Sequence, residues 1–105
     1  MMSQSFIIAS ARLLNRTGLH ARPSVKLTQL AKRFAASVEL ATGADGPWVN
    51  AKSPVKVMAF QAETGASLYI RAEGEGAQEA VAALVSLIED NFGESHADTD
   101  GAHHG

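Results

Sequence analysis

Apolar residues first gather between Ser5 and Leu14, a run of Phe, Ile, Ala and Leu interrupted by Arg12. Its β-branched and aromatic content reads as a strand, and Asn15-Arg16-Thr17-Gly18 ends it with turn-forming residues. From Ala21 to Phe34 the period becomes helical. Leu27, Leu30, Ala31 and Phe34 recur at i, i+3, i+4 and i+7, while Lys26, Gln29, Lys32 and Arg33 occupy the other face. Pro23 suits such a helix only in its first turn, where backbone N–H groups have no intrahelical acceptor. The helix therefore starts just after His20.

Ser37 to Thr42 alternates, with Val38 and Leu40 on one face, as a half-buried strand does. A turn over 43–47 joins it to a short strand at 48–51, which makes a hairpin. Ser53-Pro54 opens a second helix, Ser as cap and Pro at the first position, reaching about Gln61 with Val55, Met58 and Ala59 as its apolar contacts. After a break at Glu63-Thr64-Gly65, residues 66–72 alternate again, Leu68, Ile70 and Ala72 inward and Ser67, Tyr69 and Arg71 outward. Glu75 to Phe92 carries a broad helical stripe of Ala77, Ala80, Val81, Leu84, Val85, Ile88 and Phe92, and Gly93 stands where a terminating glycine belongs. The order β-α-β-β-α-β-α predicts an α+β fold, a mainly antiparallel four-stranded sheet covered on one face by three helices. Residues 1–94 form one domain, and the small, polar, acidic stretch 95–105 reads as a flexible tail.

Composition removes several functions. A chain of 105 residues with 46% hydrophobic and 19% charged residues is one folded domain. A net charge of -2 gives no global basic field for nucleic acid, and Trp48 and Tyr69 are isolated along the chain, which argues against an aromatic stacking platform. Without cysteine there is no disulfide, thiolate metal site or cysteine nucleophile. The apolar patch Phe6 to Ala9 follows no basic segment and is too short to span a bilayer, so a cytoplasmic protein is expected. No cofactor is implied. His96, His103 and His104, with Asp98 and Asp100, lie in the tail, which lacks the fixed scaffold a metal site needs.

His20 is different. It stands at the junction of a loop and a helix, followed by Arg22 in the first turn. A helix start offers unpaired N–H groups and about half a positive charge, which attract phosphate. That positive end disfavours an imidazolium and so favours a nucleophilic neutral ring. Arg22 adds a guanidinium able to grip phosphate oxygens. Nothing in the pattern supplies a general base, a metal cluster or a substrate pocket. The chemistry expected is the handover of a phosphoryl group, without independent turnover.

Three segments carry a family resemblance: residues 15–23 (NRTGLHARP), residues 49–53 (VNAKS), and Gly74-Glu75 with Phe92-Gly93-Glu94. Over roughly residues 5 to 94 the chain resembles HPr, the histidine-containing phosphocarriers of the bacterial phosphoenolpyruvate-dependent phosphotransferase system. The resemblance implies an open-faced β-sandwich. It implies that His20 accepts a phosphoryl group on Nδ1 from enzyme I and passes it to an enzyme IIA domain, with Arg22 neutralising the phosphate. Ser53 matches a serine that a dedicated ATP-dependent kinase, the HPr kinase/phosphorylase, modifies in some members. Partner docking falls to Arg16, Thr17, Ala21, Pro23, Pro54, Val55 and Met58, on a monomer. Where the family usually has a large apolar pair after that serine, this chain has Pro54-Val55. Arg16, Arg22, Lys52 and Lys56 are expected around His20, a setting for an acidic partner. Two other readings stay open: a regulatory binding protein of the same fold controlled through Ser53, and an unrelated sandwich that binds a small ligand.

Overall fold

A computed structural model describes residues 6–93. The polar stretch at 95–105, its three histidines included, lies outside the described residues. Strand β1 spans Ile7–Arg12, helix α1 Ala21–Ala31, strand β2 Ser37–Ala41 and strand β3 Val49–Asn50. Helix α2 covers Pro54–Met58, strand β4 Ser67–Glu73 and helix α3 Ala77–Glu89, followed by a 3-10 turn at Asn91–Gly93. The element order matches the one read from the sequence.

The strands form a four-stranded sheet in the order β1-β4-β2-β3, antiparallel at every pairing. Register puts Ile70 of β4 between Ala9 and Leu40, and Arg71 between Ile8 and Glu39. Period-two geometry then sends Leu68, Ile70, Ala72, Val38 and Leu40 to one face, where all are buried. The helices cover that face. Leu27 and Ala31 from α1, Val57 from α2, and Ala80, Leu84 and Ile88 from α3 complete the core with Leu13, Leu19 and Phe92. On the opposite face Arg71 is pinned to Glu39, its Nε 2.8 Å and a terminal nitrogen 2.7 Å from Oε1. Its guanidinium lies 4.5 Å from the Phe6 ring centre and 4.2 Å from that of Trp48.

Three expectations need correction. Helix α3 begins at Ala77 rather than Glu75, because Gly76 is left-handed at φ 79° and cannot join a right-handed helix. It stops before Phe92, since Asn91 and Phe92 are themselves left-handed at φ 56° and 55°. Phe92 is still buried, but as a plug in the turn. In α2 the inward residue is Val57, whereas Val55 is 72% exposed and Ala59 is exposed too. A helix of five residues has too few turns to show a stripe, so its facing is set by packing against α1 and β3.

Candidate functional site

His20 is the residue from which α1 starts. Its backbone is extended (φ -79°, ψ -168°), its side chain makes no capping hydrogen bond, and it is exposed. A serine or aspartate here would fold its oxygen back onto the first amides. The imidazole leaves them uncovered. The Ser24 amide bonds the His20 carbonyl at 3.0 Å and closes the first turn. Pro23, which has no N–H to satisfy, sits inside that turn and is buried. The expectation that Pro23 presents a docking surface is therefore corrected: the residue is buried in the first turn of α1. Arg22 and Ala21 face solvent beside His20.

The loop that delivers His20 is held from several sides. Leu19 is 1% exposed and anchors the chain in the core. Its amide bonds the Ala62 carbonyl at 2.9 Å, and its carbonyl accepts from Ser24 Oγ at 3.0 Å. Asn15 Nδ2 donates to the Gly18 carbonyl at 2.9 Å. Thr64 Oγ1 donates to the carbonyls of Asn15 at 2.5 Å and Arg16 at 3.1 Å. Gly18, at φ +67°, lies so close to the neighbouring loop that an added Cβ would meet the Ala62 carbonyl oxygen at 2.4 Å. Only glycine fits there without displacing that loop.

A shallow cleft of about 480 Å³ opens at the helix start, lined by Leu19, His20, Ala21, Met58, Gln61 and Glu63. Met58 was foreseen; Gln61 and Glu63 were not. They come from the segment between α2 and β4, which has no periodicity, and tertiary bonds bring them near: the Leu19 amide on the Ala62 carbonyl and the Thr64 hydroxyl on the Asn15 and Arg16 carbonyls. Gln61 is left-handed at φ 52°, an uncommon state for a residue with a Cβ.

Arg16, Thr17, Val55 and Lys56 are exposed, and Ser53 and Pro54 are partly so. Ser53 caps α2, its Oγ accepting from the Lys56 amide at 3.4 Å. Lys52 departs from the expected ring around His20. Its Nζ donates to the Phe34 carbonyl at 2.8 Å, beyond the opposite end of α1, a helix roughly 16 Å long. Arg12, Arg16, Arg22, Lys26, Lys32 and Arg33 all precede Glu39, the first acidic residue of the chain. The helix start thus lies in a basic segment although the net charge is negative. Among the described residues no cluster of metal-ligating side chains occurs, and no helix is long and apolar enough to cross a membrane.

The family model described as the PTS HPr component phosphorylation site matches residues 9–90. The phosphocarrier protein HPr of Cupriavidus necator is 43% identical over 82 residues, 78% of this chain and 90% of that protein. The phosphocarrier protein NPr of Proteus mirabilis is 35% identical over 80 residues, 76% of this chain and 88% of that one. The crystal structure of HPr-C-His from Thermoanaerobacter tengcongensis superposes with a TM-score of 0.76 at 37% identity, over 83% of this chain and 96% of that one. With both sequence and sheet-and-helix frame shared over nearly the whole described length, the chain belongs to the HPr family of phosphotransferase-system phosphocarriers, proteins that relay a phosphoryl group and are not enzymes.

Proposed function

We propose that His20 is the phosphoryl acceptor, charged by phospho-enzyme I and discharged to enzyme IIA domains. The observation that carries this reading is the bare helix start: an exposed imidazole that makes no capping bond, above amides with no acceptor in the helix and next to Arg22. An unprotonated ring nitrogen attacks the donor's phosphorus, and a P–N bond forms as the donor's bond to phosphorus breaks. The helix dipole and Arg22 then face the new negative charge. Reversal on another protein completes the handover. Arg16, Thr17, Ala21, Val55 and Met58 supply the docking rim, in a cytoplasmic setting. The destination is a sugar-uptake or a nitrogen-regulatory branch of the phosphotransferase system.

Incubation with phosphoenolpyruvate and enzyme I tests this. Wild type gains an acid-labile phosphate and His20→Ala does not; label on the variant, or none on wild type, sinks the proposal. Ser53 is the proposed regulatory position. A phosphate on its Oγ sits at a helix start, which tolerates the charge, yet adds about two negative charges beside exposed Val55 and the docking rim. Incubation with ATP and an HPr kinase/phosphorylase gives an acid-stable phosphate on wild type and none on Ser53→Ala; equal labelling of the two removes Ser53 from the scheme.

A further inference from the structure

The cleft beside His20 contains one acidic side chain among its lining residues, Glu63. It stands out because the chain up to Glu39 is free of acids, so the carboxylate reaches this basic site only through the fold. Its backbone is fixed. A Cβ on Gly18 would lie 2.9 Å from the Glu63 Cα, the preceding carbonyl accepts from Leu19, and the following Thr64 ties into the 15–16 loop. Gln61, held left-handed two residues earlier, lines the same cleft. The Glu63 carboxylate is exposed and forms no ion pair among the described residues.

We infer that Glu63 sets the phosphoryl-transfer potential of this carrier, as a positioned negative charge that opposes the phosphoryl group on His20. The inference rests on the carrier reading above and deepens it. A carrier must release what it accepts. Arg22 and the helix start stabilise the phosphorylated form, and with nothing against them they would make it a sink. Glu63 raises the energy of that form because its charge repels the roughly two negative charges of the phosphoryl group, while the unphosphorylated form feels no such repulsion. It acts through the field and touches no reacting atom, so it is a positioning residue. Across a cleft open to solvent the repulsion is worth about three- to tenfold in the transfer equilibrium at low salt, and screening shrinks it as salt rises.

The test is a partition measurement. Phosphorylated wild type is mixed with unphosphorylated Glu63→Gln and a catalytic amount of enzyme I, so that P–N bonds exchange between the two carriers until equilibrium. Intact-mass spectrometry then reads the phosphorylated fraction of each. The phosphoryl group is expected to favour the variant three- to tenfold at low ionic strength and less than twofold in 1 M salt. Glu63→Asp returns the ratio toward one. Glu79→Gln removes the same charge on α3, whose N-cap Gly76 lies beside Phe34 beyond the far end of α1, and leaves the ratio at one. An even partition for Glu63→Gln at low salt, or an equal bias for Glu79→Gln, overturns the inference while leaving the carrier reading intact. Wild type that takes up no phosphate overturns the carrier reading, and this inference with it.

Discussion

Gly18→Ala probes the joint that presents His20, and its cost can be worked out from the contacts. Two effects are common to any Gly→Ala change at positive φ. Left-handed backbone costs an alanine about 1–2 kcal/mol, and the stiffer unfolded chain returns about 0.4–1 kcal/mol. Gly65 isolates that pair of effects, because at φ +98° its added Cβ would meet nothing within 4 Å. Gly65→Ala should therefore lose about 1 kcal/mol. At Gly18 the added carbon would sit 2.4 Å from the Ala62 carbonyl oxygen and 2.9 Å from Glu63 Cα, both backbone atoms that cannot rotate away. Relief requires the two loops to separate by about 1 Å, which breaks the 2.9 Å bond from the Leu19 amide to that carbonyl. Losing a buried backbone hydrogen bond adds about 1–3 kcal/mol. The total for Gly18→Ala is about 2–4 kcal/mol, or roughly 2 kcal/mol more than Gly65→Ala, a gap of about 10 °C in Tm for a domain of this size. Urea unfolding followed by circular dichroism measures both midpoints at unchanged slope. A gap below about 0.5 kcal/mol would show that the close approach at Gly18 does not hold the loop. Phosphoryl uptake adds a second reading: it should fall in Gly18→Ala, whose His20 is displaced, and stay near wild type in Gly65→Ala.

Two further outcomes are expected. Phe92→Ala empties a buried plug that is 1% exposed and should cost about 3–5 kcal/mol, seen as a lower urea midpoint; a loss under 1 kcal/mol would mean the turn after α3 collapses into the space. Val55→Asp, at a side chain 72% exposed, should leave the midpoint within about 0.5 kcal/mol while raising the KM for phosphoryl transfer from enzyme I, and an unchanged KM would take Val55 out of the docking surface.

Where a signal was local, it was legible in the chain. Alternation in 66–72 gave β4 its inward Leu68, Ile70 and Ala72, and Pro23 fixed the start of α1 to within a residue, because proline excludes all but the first turn. The candidate nucleophile was legible for the same reason: helix start, imidazole and guanidinium lie within three positions of sequence. What depended on distant segments was not. Lys52 reads as a neighbour of His20 until its ammonium is found on the Phe34 carbonyl. Val57 and Val55 are indistinguishable in a helix of five residues until α1 and β3 choose between them. Gln61 and Glu63 carry no periodic mark and enter the cleft through bonds to a distant loop, from the Leu19 amide to Ala62 and from the Thr64 hydroxyl to Asn15 and Arg16. The left-handed turn at Asn91 and Phe92 was hidden because Phe92 continues the apolar stripe of α3 and is a residue type that rarely turns left-handed, although asparagine does so readily.

The Arg71 stack has a consequence for how the sheet comes apart. Phe6 precedes β1 and Trp48 precedes β3, the two strands at the outer margins of the sheet, and a single guanidinium lies against both rings. Neither margin can fray at that point without disturbing the same side chain, which Glu39 of β2 also grips. Strand β3, only two residues long, thereby gains a clasp independent of its backbone ladder. Amides in β3 and those opening β1 are therefore expected to exchange with solvent in a partly coupled way, although the two strands are not neighbours in the sheet.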